Sequence, residues 1–157
     1  LIVDIVGKGK DSSSCLSSSN PKWVVSTAYG KVGQKADKVF NLHKPEVLEP
    51  WLSKAPAVLM GPFIEGKEIL PARQLIDKFG DIFHSSIAWM IGYAVHLGYT
   101  EIHLYGVDMI HGSEYGEQRD SLFYLMGYVS ALGIVIQCQK GSGIDTLKKP
   151  SYQKEIV

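Results

Sequence analysis

The stretch from residue 85 to residue 138 confines the fold more tightly than any other part of the chain. From Ser85 to Leu97 apolar residues recur at helical spacing, and Gly98 stands where a helix C-cap belongs. Glu101-Ile-His-Leu-Tyr105 then alternates as a strand does, and Gly106-Val-Asp108 ends it. A polar loop, His111 to Tyr115, leads into a second long helix expected from about Glu117 to Leu132, with Gly133 as its cap. Ile134 to Cys138 reads as a further strand. Helix, strand, helix, strand, with β-branched apolar strands, is the pattern of a parallel sheet covered by helices.

The earlier part of the chain fits the same plan. Leu1 to Val6 is a β-branched run broken by a glycine turn, and Trp23–Thr27, Lys38–Leu42 and Ala57–Met60 read as three more strands. Ser12 to Asn20 is serine-rich and reads as a loop or a short capped helix. A short helix is expected from Glu46 to Leu52 after Pro45, and Pro71 to Phe79 reads as a short helix or a surface excursion. The expected architecture is α/β: a single Rossmann-like domain over residues 1–145, its sheet mostly parallel and flanked by helices. Residues 146–157 are expected to be a peripheral tail.

Composition removes several classes of function. At 157 residues the chain has room for one core, and 45% hydrophobic with 20% charged residues is a globular composition. Sixteen Lys+Arg balance sixteen Asp+Glu, so there is no basic surplus for nucleic acid or a lipid surface, and neither partner is expected. Cys15 and Cys138 are too few for a disulfide framework, which favours a reducing cytoplasmic setting. No apolar stretch approaches a membrane span. No signal-peptide pattern opens the chain, and a first residue of Leu leaves room for residues upstream.

In an open parallel sheet, ligands bind beyond the carboxyl ends of the strands, where the strand order reverses. The first strand delivers Gly7, Lys8, Gly9 and Ser12 to that edge, the second Ser26, Thr27 and Tyr29, and the third Asn41, His43 and Lys44. The later strands deliver Asp108, with Tyr115 on its loop, and then Lys140 with Ser142. Small, hydroxyl and amide groups with scattered lysines suit a phosphorylated or carboxylated ligand.

Gly7-x-Gly9 is read two ways, as a tight turn without ligand or as an anion cradle. The dinucleotide pattern is not met, because Ser12 replaces its third glycine and Ser26-Thr27 replace its acidic residue. Ser85-Ser86 stand at a helix start, where they cap the helix and can also hold an anion. Asp108 is a turn former or a ligand-binding carboxylate. His111 is an exposed loop residue or an acid–base group, and a phenol at Tyr115 can donate to a phosphate oxygen. Trp89, with Tyr93, Tyr99, Tyr105, Tyr124 and Tyr128, reads as core or boundary. No zinc-ligand spacing, P-loop or Gly-x-Ser-x-Gly elbow is present, and no metal or cofactor is assigned.

The segment from Ser85 to Met109 resembles the central segment of the family 42 bacterial sialyltransferases: hydroxyl pair, helix, Leu-Gly-Tyr, strand, Gly-hydrophobic-Asp and a following tyrosine. It is also similar to the related domain of archaeal 6-hydroxymethyl-7,8-dihydropterin pyrophosphokinases and flagellin-modification accessory proteins. In length it is closest to phage-encoded proteins with similar stretches. The resemblance implies a cytidine-nucleotide-type pocket. Gly7 to Ser12 would approach the phosphate, Asn41 would face the nucleotide or sugar, and Ser85 and Ser86 would hold the donor's carboxylate or phosphate. Tyr115 would steady the departing phosphate oxygen.

The chain departs from that family at three places. Lys8-Gly9-Lys10-Asp11-Ser12 replaces Asn-Gly-Pro-Ser, and Ile110 stands where a second tyrosine falls. Tyr115 runs almost directly into a helix where the transferases carry a lid with their catalytic histidine, so His111 is the nearby substitute. These departures argue against sialyl transfer itself. The expected function is binding of a nucleotide, nucleotide-sugar or similar phosphorylated small molecule, as a small glycosyl- or phosphoryl-transferase-like protein. Tyr115 and Lys140 would support the leaving group and His111 would act as base. The alternatives are a non-catalytic phage-type protein that sequesters a nucleotide in the host cytoplasm, and a structural or assembly protein with a vestigial pocket. A homo-oligomer, in which a second copy completes the pocket, is compatible with each.

Overall fold

The computed structural model describes residues 1–109, 114–139, 142 and 144, apart from the side chains of 114–117. The strands are β1 (Ile2–Val6), β2 (Lys22–Val25), β3 (Lys38–Asn41), β4 (Ala57–Leu59), β5 (Glu68–Ile69), β6 (Glu101–Tyr105) and β7 (Val135–Cys138). They form one seven-stranded sheet in the order β5-β4-β3-β2-β1-β6-β7. Every neighbouring pair is parallel. The expected α/β architecture is present, and the described sheet is parallel throughout.

Parallel neighbours need crossovers, and here the two faces of the sheet receive different kinds. The links from β1 to β4 run through short tight turns: 3-10 segments Lys10–Ser17, Pro45–Val47 and Pro50–Lys54, and the single-turn helix α1 (Tyr29–Val32). That face is thin, with Val6, Cys15, Val24, Ala28, Ala36, Val39, Leu52, Ala57 and Leu59 as its core. The other face carries the longer helices α2 (Ala72–Phe79), α3 (Ser86–His96) and α4 (Glu114–Ala131). Side chains alternate along a strand, so Val3 and Ile5 of β1 point to this side with Trp23, Phe40, Ile91, Leu122 and Leu125. The chain changes face after β5, and the strand order reverses between β1 and β6.

Local chemistry explains the helix boundaries. Ser85 is the N-cap of α3, its Oγ accepting from Ala88 N at 3.2 Å, and Gly98 takes φ 85° beyond the end. Two expectations need correction, and one strand escaped the sequence pattern. The helix expected over Glu46–Leu52 is two separate 3-10 turns, because Pro50 supplies no N–H to continue the first. The two-residue strand β5 is too short to show a period. Helix α4 begins at Glu114, so Tyr115 lies in its first turn and not on a loop. The tail expected over 146–157, His111 and Lys140 lie outside the described residues. No described helix is long and apolar enough to cross a membrane.

Candidate functional site

The strand order reverses between β1 and β6, and in an open parallel sheet ligands bind at the carboxyl edge near such a reversal. A cleft of about 620 Å³ lies there. Among the residues that line it are Gly7, Lys8, Gly9, Ser26, Thr27, His43, Ser85, Ser86 and Asp108, so nine of the residues selected from the sequence share one wall system.

The glycine turn forms one rim, and its geometry is that of an interlock. Gly7 N donates to Tyr105 O and Gly9 N to Gly106 O, both at 2.8 Å, fastening the β1 turn to the end of β6. A Cβ on Gly7 or Gly9 would lie 2.6 Å from Gly106 O, and one on Gly9 would also lie 2.7 Å from Asp108 Oδ2. Gly106 adopts φ +60°, and a Cβ there would meet Ser12 Oγ at 2.4 Å. Ser12 is fully buried beneath the turn and donates its hydroxyl to Gly7 O at 2.6 Å and also to Gly9 O. From the outside, Lys31 Nζ donates to Lys8 O and Gly9 O, each at 2.9 Å. Of the two readings of Gly7-x-Gly9, the tight turn accounts for every glycine, and both glycine amides are engaged within the protein. Ser12 does not line the cleft; its hydroxyl serves the turn.

The start of α3 lines the same cleft. Of the first four amides of a helix, none has an intrahelical acceptor. Here Ala88 N reaches Ser85 Oγ and Trp89 N reaches Ser85 O at 3.2 Å. The amides of Ser86 and Ile87 have no such acceptor, and both residues line the cleft. The positive end of the helix dipole points the same way. This helix start offers donors where the glycine turn has engaged its own.

Other selected residues fall elsewhere. Asn41 is buried, and its Oδ1 accepts from His43 N at 3.3 Å, so it shapes the turn that carries His43 into the cleft. Ser142 is not among the lining residues, and its buried hydroxyl has no partner among the described residues. The Tyr115 side chain, His111 and Lys140 lie outside the described residues. His103 lies between Glu101 Oε1 at 2.7 Å and the buried Asp4 Oδ1 at 3.5 Å.

Sequence reading missed part of the lining: Phe83, His84, Trp89, Met109 and Gln118. Met109 carries φ 47°, rare for a residue with a side chain, while Arg119 Nη1 donates to its carbonyl at 3.1 Å. Its position after the Gly-hydrophobic-Asp turn was the available signal. Away from the cleft, burial pushes the Cys15 thiol and the Tyr105 phenol above their ordinary values, with the Asp4 carboxylate contributing to both. Among the described residues no three His, Cys, Asp or Glu side chains are grouped to hold a metal ion.

No protein-family model matches the chain. No curated protein matches it in sequence. Solved structures match it in fold. The sialyltransferase CstII from Campylobacter jejuni, in complex with the substrate analogue CMP-3FNeuAc, superposes with a TM-score of 0.64 at 16% identity, over 90% of this chain and 81% of that one. The same enzyme with a trisaccharide acceptor and CMP gives 0.66 at 17%, over 90% and 82%. An α-2,3-sialyltransferase from Campylobacter jejuni in apo form gives 0.57 at 17%, over 90% and 76%. At these identities the likeness is one of fold.

Proposed function

We propose that this protein binds a nucleotide or nucleotide-sugar in the cleft at the β1/β6 switch point, with the phosphate on the start of α3, as a small transferase-like protein. The observation that carries this reading is the α3 terminus itself. Ser86 and Ile87, whose amides have no intrahelical acceptor, both line a cleft of about 620 Å³ at the carboxyl edge of a parallel sheet. The structural neighbours support it, since the solved complexes include CMP and a CMP-sugar analogue. Lys8, His43 and His84 add cationic or proton-donating groups around the same space, and Asp108 offers a carboxylate to a ligand hydroxyl. In the catalytic form of the proposal, Tyr115 and Lys140 support the leaving phosphate oxygen and His111 serves as base.

A second reading, stoichiometric binding without turnover, is favoured by the short connection between β6 and α4, which is confined to residues 106–113. The experiment is a thermal-shift and turnover series with CMP, CMP-sugars and other nucleotides. Ligand at a hundred times its Kd raises stability by about 2.7 kcal/mol, a readily measured rise in Tm. The transferase form expects consumption of a nucleotide-sugar that falls at least about a hundredfold in Tyr115→Phe or His111→Ala, the usual scale for a lost acid, base or electrostatic group. Binding without any consumption selects the second reading, and a folded protein unmoved by every nucleotide overturns both.

A further inference from the structure

We infer that Trp89 is the platform on which the nucleobase stacks, so that the cleft distinguishes nucleotides from sugar phosphates that share their anionic end. The inference rests on the cleft being the phosphate-binding site proposed above. Trp89 lines the cleft and is half-buried, and Phe83 lies beneath it with ring centroids 4.2 Å apart and planes 15° apart. Phe83 is only 8% exposed, so what the pair leaves accessible belongs mainly to Trp89.

The support under that ring is rigid. Phe83 fits against Gly92 one turn further along α3, where a Cβ would come within 2.6 Å of Phe83 Cε1. Phe79 meets Phe83 edge-on at 6.0 Å and 89°. A ring fixed in this way can accept a base without losing freedom it still has. Its position fits a nucleotide as well. Trp89 follows Ser85 by four residues, so the two lie on one face of the helix, with Cβ atoms about 5–6 Å apart. An anion at the helix start and a base on Trp89 are then separated by roughly one ribose. The other two tryptophans are occupied: Trp23 is 1% exposed among Phe40, Tyr93 and Tyr99, and Trp51 stacks on Tyr29 outside the cleft.

Stacking on an aromatic side chain is tolerant of base identity, and its loss lowers affinity by about 5- to 150-fold. The test is titration of the four nucleoside 5′-monophosphates and of ribose 5-phosphate into the wild type, Trp89→Phe and Trp89→Leu. The wild type is expected to bind at least one nucleotide about fivefold or more tighter than ribose 5-phosphate. Trp89→Leu should erase that margin and leave ribose 5-phosphate binding unchanged, whereas Trp89→Phe should keep most of it. Nucleotide, and not ribose 5-phosphate, should quench a component of tryptophan fluorescence that Trp89→Phe lacks. Trp89→Phe keeps an aromatic ring on Phe83, so it remains informative if Trp89→Leu fails to fold. If ribose 5-phosphate binds the wild type as tightly as every nucleotide, or the margin survives in Trp89→Leu, the inference is overturned while the phosphate site stands. If no nucleotide and no ribose 5-phosphate binds the folded wild type, the site reading itself fails, and the inference with it.

Discussion

The glycine turn after β1 and the serine pair at the start of α3 line one cleft, and both are devices that parallel sheets use to hold phosphate. In this protein they are built to different ends. Gly7 and Gly9 use their amides to dock onto β6, and Ser12 turns its hydroxyl inward to their carbonyls. Ser85 caps α3, and Ser86 follows it with an amide that has no intrahelical acceptor. A glycine pair at the end of a first strand therefore reports first on how closely two backbones approach. Whether it also holds a ligand depends on where its N–H groups go.

That contrast is best broken from the glycine side, where the largest effects lie. Gly106→Ala forces a side chain onto φ +60° and into contact with Ser12. A cost on the order of 3 kcal/mol is expected in chemical denaturation, combining left-handed strain with overpacking. Gly9→Ala meets the Gly106 carbonyl without the φ penalty, and about 1–3 kcal/mol is expected. A neutral outcome for either would mean that the interlock is looser than its geometry. Ser12→Ala removes a buried donor shared by two carbonyls and should cost about 1–2 kcal/mol while leaving the affinity for CMP unchanged. Selective loss of CMP binding in that variant would return Ser12 to the ligand.

On the serine side the stability effects are smaller. Ser85→Ala loses a helix cap and should cost about 1 kcal/mol, read as a fall in the denaturation midpoint with the slope unchanged. The smallest effect expected is on the pH dependence of the thin face. The folded Cys15 thiol holds its proton above the ordinary value of 9.0, chiefly because it is buried. Stability from that group is complete below 9.0 and declines as pH rises further, because the unfolded chain ionises first. Denaturation between pH 8 and about 10.5 should show a shallower decline in Cys15→Ala than in the wild type. Equal slopes would assign the alkaline loss to other groups, such as Tyr105, whose phenol is also raised.

The same contrast shows what the sequence made legible. Helices α3 and α4 could be read because apolar spacing and glycine ends act together over more than two turns. The opposite face could not, since the 3-10 turns at Pro45 and Pro50 are shorter than any period that would announce them. Strand ends named much of the cleft, because position along a strand fixes which residues reach the carboxyl edge. Side-chain direction was not readable: Ser12 and Asn41 are polar residues at strand ends whose side chains turn inward to the backbone. Trp89 was missed for the converse reason. An aromatic at helical spacing looks the same in sequence whether its ring is buried or borders a cleft.

The measurement that bears most directly on the phosphate site is calorimetric titration of CMP into the wild type and Ser86→Pro. Ser86 is the first residue of α3, where proline is tolerated, and Ser85 before it is already extended at φ −145° and ψ 156°. The substitution therefore keeps the helix but removes both the amide and the hydroxyl of a residue that lines the cleft. An unchanged Tm with CMP affinity reduced at least about tenfold, the scale of one charge-assisted hydrogen bond, is the predicted result. CMP bound to Ser86→Pro as tightly as to the wild type would contradict the assignment of the phosphate to the start of α3.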